Sequence, residues 1–335
     1  MIGPFAEIAI LGAGGMGTAL GLLWARAGAN VRLWARDADR AASMARSRRN
    51  DRHLPGVELP ESIRPTGDAR EALEGVDLVV AAVPSAYLRS TLRPLAAHVP
   101  RGAPVLSVVK GIELETFARP SQIIAEELGP RPIAVLSGPS HAEELARGLP
   151  ASVVIAGNDE HYVTSVRDAL NSPSFRVYSN GDFAGVELAG ALKNILGIVA
   201  GICDGLGCGD NAKASILTRG LVEIARFGVA MGAEQATFAG LAGVGDVLTT
   251  CYSAHGRNRA LGARIAVGEG LQAIQAGTAD VAEGVFTTRS VYMYASREGI
   301  PMPITVEVYN ILFEGKPPRA AVGDLMLRQP TAEWR

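Results

Sequence analysis

The sequence predicts an α/β domain over residues 1–180, a parallel sheet covered by helices, followed by a mostly α-helical domain over residues 181–335. Two observations predict it. The first half alternates short β-branched runs with stretches of helical period, and after Ser179-Asn180-Gly181 that alternation gives way to Ala, Gly and Leu at helical spacing. With 335 residues, 48% hydrophobic and 20% charged, the chain has material for two cores, and disordered or collagen-like readings drop out.

In order, the expected strands are 7–11, 30–34, 77–83, 104–108, 133–136, 152–156 and 175–178, with amphipathic helices such as 16–27 and 87–97 between them. Strands this apolar on both faces belong inside a sheet. In the second domain the longest apolar stretch, 188–203, carries Lys193 and Asn194 in its middle and falls short of the roughly 20 residues of a spanning helix, so a buried helix is expected. The start, Met1 to Leu11, lacks a basic n-region and runs into a strand, so no signal peptide is expected.

Gly12-Ala13-Gly14-Gly15-Met16-Gly17 fits GxGxxG between the first strand and the first helix. In that place the pattern carries a mechanism: Gly12 for the tight turn, Gly14 for approach of a pyrophosphate, Gly17 for packing of helix on sheet, with free helix N–H groups facing the anion. The first domain is therefore expected to be a Rossmann-like dinucleotide-binding domain. At the end of the second strand, Arg36 can pair with a 2′-phosphate, while Asp37 stands one residue from where it would best grip a free ribose. That favours NADP(H) and leaves NAD(H) open.

A formal charge of −2 gives no basic field for nucleic acid or an anionic membrane. Cys203, Cys208 and Cys251 form no zinc pattern, and their odd number suits a reducing compartment, the cytoplasm. His53, His141 and His255 have no metal-site spacing, and Ser140-His141 is not a nucleophile elbow. Neither a metal nor a covalent intermediate is expected.

Lys193 stands in an otherwise uncharged stretch between Glu187 and Asp204, on a face with Ala189, Gly190 and Gly197. A lysine buried there needs a partner or a task, and desolvation suits it to donate a proton to a carbonyl oxygen. A lysine that snorkels to the surface fits the same pattern. Lys110-Gly111 and Gly138-Pro139-Ser140 follow strands directly and emerge at the carboxyl end of the sheet, where α/β folds bind ligands. Asp246, followed by Thr249 and Thr250, can pair with a cleft lysine. Arg257-Asn258, after Gly256, makes a phosphate or carboxylate clamp, although capping and surface charge also explain that segment.

Together these residues resemble the bacterial type of NAD(P)-dependent glycerol-3-phosphate dehydrogenase. The resemblance runs through Gly12–Gly17, Val83-Pro84-Ser85, Lys110-Gly111-Ile112-Glu113, Ser137-Gly138-Pro139-Ser140, Leu192-Lys193-Asn194, Asp204-Gly205, Gly240–Asp246, Arg257-Asn258-Arg259, Glu283-Gly284 and Met302-Pro303-Ile304. It implies reduction of dihydroxyacetone phosphate to sn-glycerol 3-phosphate for phospholipid synthesis, at a cleft between two domains of a homodimer. It also implies Lys193 as proton donor and acceptor, supported by Lys110, Asn194, Asp246 and Thr250. Lys110, Gly138, Ser140, Lys193, Asp246, Gly256, Arg257 and Asn258 match substrate positions. Gly12, Gly14, Gly15, Met16, Gly17, Arg36, His53, Lys110, Ala142, Arg257, Val281 and Glu283 match cofactor positions. Met16 and His53 stand where the family commonly has aromatics, and Gly256 where it often has serine.

Overall fold

The computed structural model describes residues 4–253, 256–277 and 282–329. Among them, the strands are β1 (Glu7–Leu11), β2 (Asn30–Trp34), β3 (Ile63–Thr66), β4 (Leu78–Ala81), β5 (Val105–Ser107), β6 (Ile133–Ser137), β7 (Ala151–Gly157) and β8 (Phe175–Ser179). They form one sheet in the order β3-β2-β1-β4-β5-β6-β7-β8. The middle strand β1 is apolar on both faces, and Ile8, Ala9, Ile10 and Leu11 are wholly buried between helical layers.

Two features depart from the expected sheet. The strand β3 was not anticipated, because Arg64 and Pro65 interrupt a four-residue run. It forms at the sheet's edge, where a residue without an N–H is tolerated, with Pro65 opposite Leu33. The sheet is also not wholly parallel, since β7 runs antiparallel to β6, with Ser137 opposite Val154. The link between them, residues 138–150, holds the five-residue helix Ala142–Ala146 and a turn at Gly148, and brings the chain back alongside β6 in the opposite sense.

The second part begins with the 24-residue helix Phe183–Leu206, longer at both ends than the sequence suggested. Asp182 caps it by accepting from the Gly185 N–H at 2.8 Å, and Gly207, at φ 65°, ends it. It is long and apolar enough to cross a membrane, yet it is enclosed by the rest of the protein. Its glycines allow the enclosure. A Cβ at Gly201 would stand 1.9 Å from the Arg259 carbonyl oxygen, and one at Gly205 2.6 Å from the Ala266 Cβ. From the facing helix Arg257–Ala266, a Cβ at Gly262 would stand 2.2 Å from the Ile198 oxygen. The two backbones therefore touch, which fixes residues 257 and 258 against the long helix.

The same helix is tied to the start of helix Pro120–Leu128 in the first part. The buried Glu187 accepts from Arg119 Nη1 at 2.5 Å, from the Ser121 N–H at 2.8 Å and from Ser121 Oγ at 2.6 Å. Burial pushes its carboxyl above the ordinary glutamate value, while Arg119 and Ser121 oppose the rise.

Candidate active site

At the carboxyl end of β1 the glycine turn is built from close contacts. Gly12 has φ 116°, and a Cβ there would lie 2.6 Å from the Ala82 carbonyl oxygen; one at Gly17 would lie 1.9 Å from the Gly12 oxygen. Gly14 is the N-cap of helix Gly15–Arg26 and makes no side-chain cap, so the first helical N–H groups stay open. The space that a Cβ would enter at Gly14 is empty to 4 Å. A pyrophosphate fits there, against the positive end of the helix dipole. Ala142 and the His53 carbonyl border the same turn, 3.5 and 3.0 Å from a Cβ built on Gly15, and Met16 is half-buried beside them.

Two residues that sequence reasoning did not single out hold this turn. Asn50 Nδ2 donates to the Ala13 oxygen at 3.0 Å and to Thr18 Oγ1 at 2.7 Å, and Arg40 Nη2 donates to the same Ala13 oxygen at 2.5 Å. Neither lies in a recognisable motif, since the contacts span 27 to 37 residues of chain. Arg36 is exposed just beyond β2. Asp37 caps helix Ala38–Ser47, its Oδ1 accepting from the Arg40 N–H at 3.1 Å.

Across the cleft, Asp246 is buried between two ammonium groups: Lys110 Nζ lies 2.5 Å from Oδ2 and Lys193 Nζ 3.0 Å from Oδ1. Lys193 Nζ also donates to Thr250 Oγ1, one turn beyond Asp246 on helix Asp246–Tyr252. Ahead of that helix, residues 241–245 form a single π-helical turn, a wider coil that recurs at functional sites. Lys110 Nζ reaches the Gly138 oxygen at 3.3 Å, and Ser140 Oγ donates to the same oxygen at 3.0 Å. Gly190, facing them, would place a Cβ 2.5 Å from Ser137 Oγ and 3.6 Å from the Lys110 stem.

The Asn194 amide donates to the Lys110 carbonyl at 3.5 Å and accepts from Asn258 Nδ2 at 2.9 Å, tying both segments to the long helix beside Lys193. Asn258 in turn accepts from the Gly284 N–H at 3.0 Å. Gly256 directs its N–H to the Ser253 oxygen at 3.4 Å, and a Cβ there would stand 2.8 Å from the Thr250 oxygen; its part in the site is close packing. Arg257 is exposed at the first position of its helix. Glu283 bridges the two parts, accepting from the Ser85 N–H at 3.0 Å; burial pushes its carboxyl up. Val281 lies outside the described residues.

The electrostatics follow from burial and count. Burial lowers the Lys193 pKa, Asp246 opposes the fall and Lys110 adds to it. Burial alone would raise Asp246, but the two ammonium groups outweigh it and hold the carboxyl below the usual aspartate value. Two cations share one anion, so the trio carries one net positive charge toward any ligand. Among the described residues no group of three His, Cys, Asp or Glu side chains could hold a metal ion.

Residues 7–163 match the family model of the NAD-dependent glycerol-3-phosphate dehydrogenase N-terminus and residues 182–323 that of its C-terminus. The glycerol-3-phosphate dehydrogenase [NAD(P)+] of Moorella thermoacetica is 48% identical over 327 residues, 98% of this chain and 97% of that one. That of Desulfitobacterium hafniense is 46% identical, covering 96% and 92%. The crystal structure of glycerol-3-phosphate dehydrogenase from Coxiella burnetii superposes with a TM-score of 0.93 at 38% identity, over 96% of this chain and 99% of that one. With glycine turn, lysine pair and both family halves in place, the chain belongs to the NAD-dependent glycerol-3-phosphate dehydrogenase family.

Proposed function

We propose that this protein reduces dihydroxyacetone phosphate reversibly to sn-glycerol 3-phosphate, using NADPH in preference to NADH. The observation that carries the reading is Lys193, an ammonium buried in the long helix 3.0 Å from Asp246, which also pairs with Lys110. Gly12, Gly14, Gly15 and Gly17 would hold the pyrophosphate, Arg36 would read the 2′-phosphate, and Ala142 and Glu283 would line the cofactor's site. When bound, the reduced nicotinamide supplies a hydride.

The chain's own groups do the rest. Lys193 Nζ holds a proton for the ketone oxygen as it gains negative charge. Burial makes that proton easier to give, and Asp246 keeps it in place until then. Thr250 Oγ1 accepts from the same ammonium and so fixes one of its three hydrogens. Arg257 and Lys110 hold the substrate phosphate, with Gly138, Ser140 and Asn258 lining its path; anchoring that end stops the ketone from tumbling. Asn194 holds Asn258 and the Lys110 backbone in register. The reading includes a homodimer in the cytoplasm that feeds phospholipid synthesis, and sedimentation at micromolar concentration tests its oligomeric state.

The deciding experiment is loss of NADPH absorbance with purified protein and dihydroxyacetone phosphate, with NADH in parallel. Rapid oxidation supports the reaction, and the ratio of the two rates tests the reading of Arg36. Protein that binds NADPH yet oxidises neither cofactor overturns the substrate.

A further inference from the structure

Asp204-Gly205 is a motif that the reaction leaves without a task. Asp204 lies near the end of the long helix, eleven residues beyond Lys193, and its carboxylate joins two cations. Lys213 Nζ stands 2.8 Å from Oδ1 and 3.1 Å from Oδ2, and Arg259 Nε stands 2.6 Å from Oδ2. Both cations continue onto one turn. The Lys213 ammonium lies 4.6 Å from the centre of the Tyr252 ring, and Arg259 Nη1 donates to the Ser253 oxygen at 3.1 Å. Tyr252 and Ser253 end the helix that carries Asp246 and Thr250, and the chain then runs to Gly256 and Arg257.

An ordinary surface ion pair would touch solvent on both sides and contribute little. Here the Lys213 side chain is only 7% exposed, and the two cations reach adjacent residues, Lys213 to Tyr252 and Arg259 to Ser253. Gly256, which precedes Arg257, is itself closely packed: a Cβ there would stand 2.8 Å from the Thr250 oxygen. We infer that Asp204 is a positioning residue for the substrate phosphate: by holding Lys213 and Arg259 against Tyr252 and Ser253, it sets how Arg257 enters the cleft. The inference rests on the reading of Arg257 as a phosphate holder.

The test is Asp204→Asn in the full-length protein, with Arg257→Ala and the double variant. Neutralising the carboxylate that pairs with both Lys213 and Arg259 should raise KM for dihydroxyacetone phosphate about tenfold, with kcat and KM for NADPH changed less than about twofold. Inorganic phosphate, competing with that substrate, should inhibit more weakly by the same factor, whereas kcat/KM for phosphate-free dihydroxyacetone should hold. Asp204→Glu should recover most of the loss, and Asp204→Asn should add almost nothing to Arg257→Ala. Equal losses on the two ketones, no change in phosphate inhibition, or a full additive loss in the double variant overturns the inference. If Arg257→Ala alone leaves KM unchanged, the reading of Arg257 fails and the inference fails with it. Should Asp204→Asn not fold, Arg259→Gln cuts the same link to Ser253 and must give the same pattern.

Discussion

Replacing Asp246 by Asn keeps the shape of the side chain and removes its charge. At 3.0 Å from Lys193, and with an effective dielectric constant of about 20, the lost attraction is about 5 kcal/mol, or about four pKa units as a ceiling. Lys193 is already below the usual lysine value because of burial, and Lys110 pushes it in the same direction. The sign is therefore fixed. Reduction needs the protonated amine and is lost as pH rises through the Lys193 pKa, so the variant's alkaline limb must move to lower pH. The assay is kcat/KM for dihydroxyacetone phosphate reduction from pH 5 to 10 in both proteins, with folding checked by circular dichroism. We expect the limb to shift by about two units or more, and kcat at pH 7.5 to fall about 100-fold or more as the neutral amine takes over. A folded variant whose limb coincides with the wild type's would refute the account of how Lys193 keeps its proton.

Three other substitutions probe separate links. Lys193→Ala should lower kcat by about 10²–10⁴ while the dissociation constant for substrate changes far less; wild-type turnover would remove Lys193 from the chemistry. Arg36→Ala should cut kcat/KM with NADPH about tenfold or more and spare NADH, since only one cofactor presents a phosphate to it; equal losses would dissociate Arg36 from cofactor choice. Gly201→Ala would place a methyl 1.9 Å from the Arg259 oxygen, so it should destabilise the protein by at least about 1–3 kcal/mol in thermal unfolding. An unchanged melting temperature would mean that the two helices do not bear on each other as described.

What the sequence made legible was local. The order strand, glycine turn, helix lies within twenty residues, so each glycine's task follows from its neighbours. Lys193 stood out because a single charge in an apolar helix is costly wherever that helix packs. Contacts between distant segments were far less legible. Arg119 and Ser121 lie 68 and 66 residues from Glu187 and form no motif with it. The Asn50 and Arg40 braces on Ala13 were equally hidden. Pairing Asp246 with a cleft lysine was a matter of chemistry, but two lysines on one carboxylate required the long helix and the β5 loop to converge. Strand direction also escaped, because the apolar run of β7 reads the same in either orientation.

The count of charges explains why one aspartate serves two lysines. With no carboxylate, burial would leave Lys193 inclined to lose its proton, and the cleft would lack its acid. With two, each ammonium would be neutralised, and a doubly charged phosphate would be repelled as much as attracted. One carboxylate between them keeps Lys193 protonated and leaves a single positive charge facing the substrate, close enough to stabilise an oxygen that becomes negative during reduction. That arrangement tolerates little movement, because Coulomb energy in a poorly solvated cleft changes steeply over an ångström. The touching backbones at Gly201 and Gly262, the Asn194–Asn258 bridge and the Glu187 tether meet that requirement. They hold rigid the helices that carry Lys193 and Asn258, so the glycines that weaken the long helix locally are what allow its lysine to be placed.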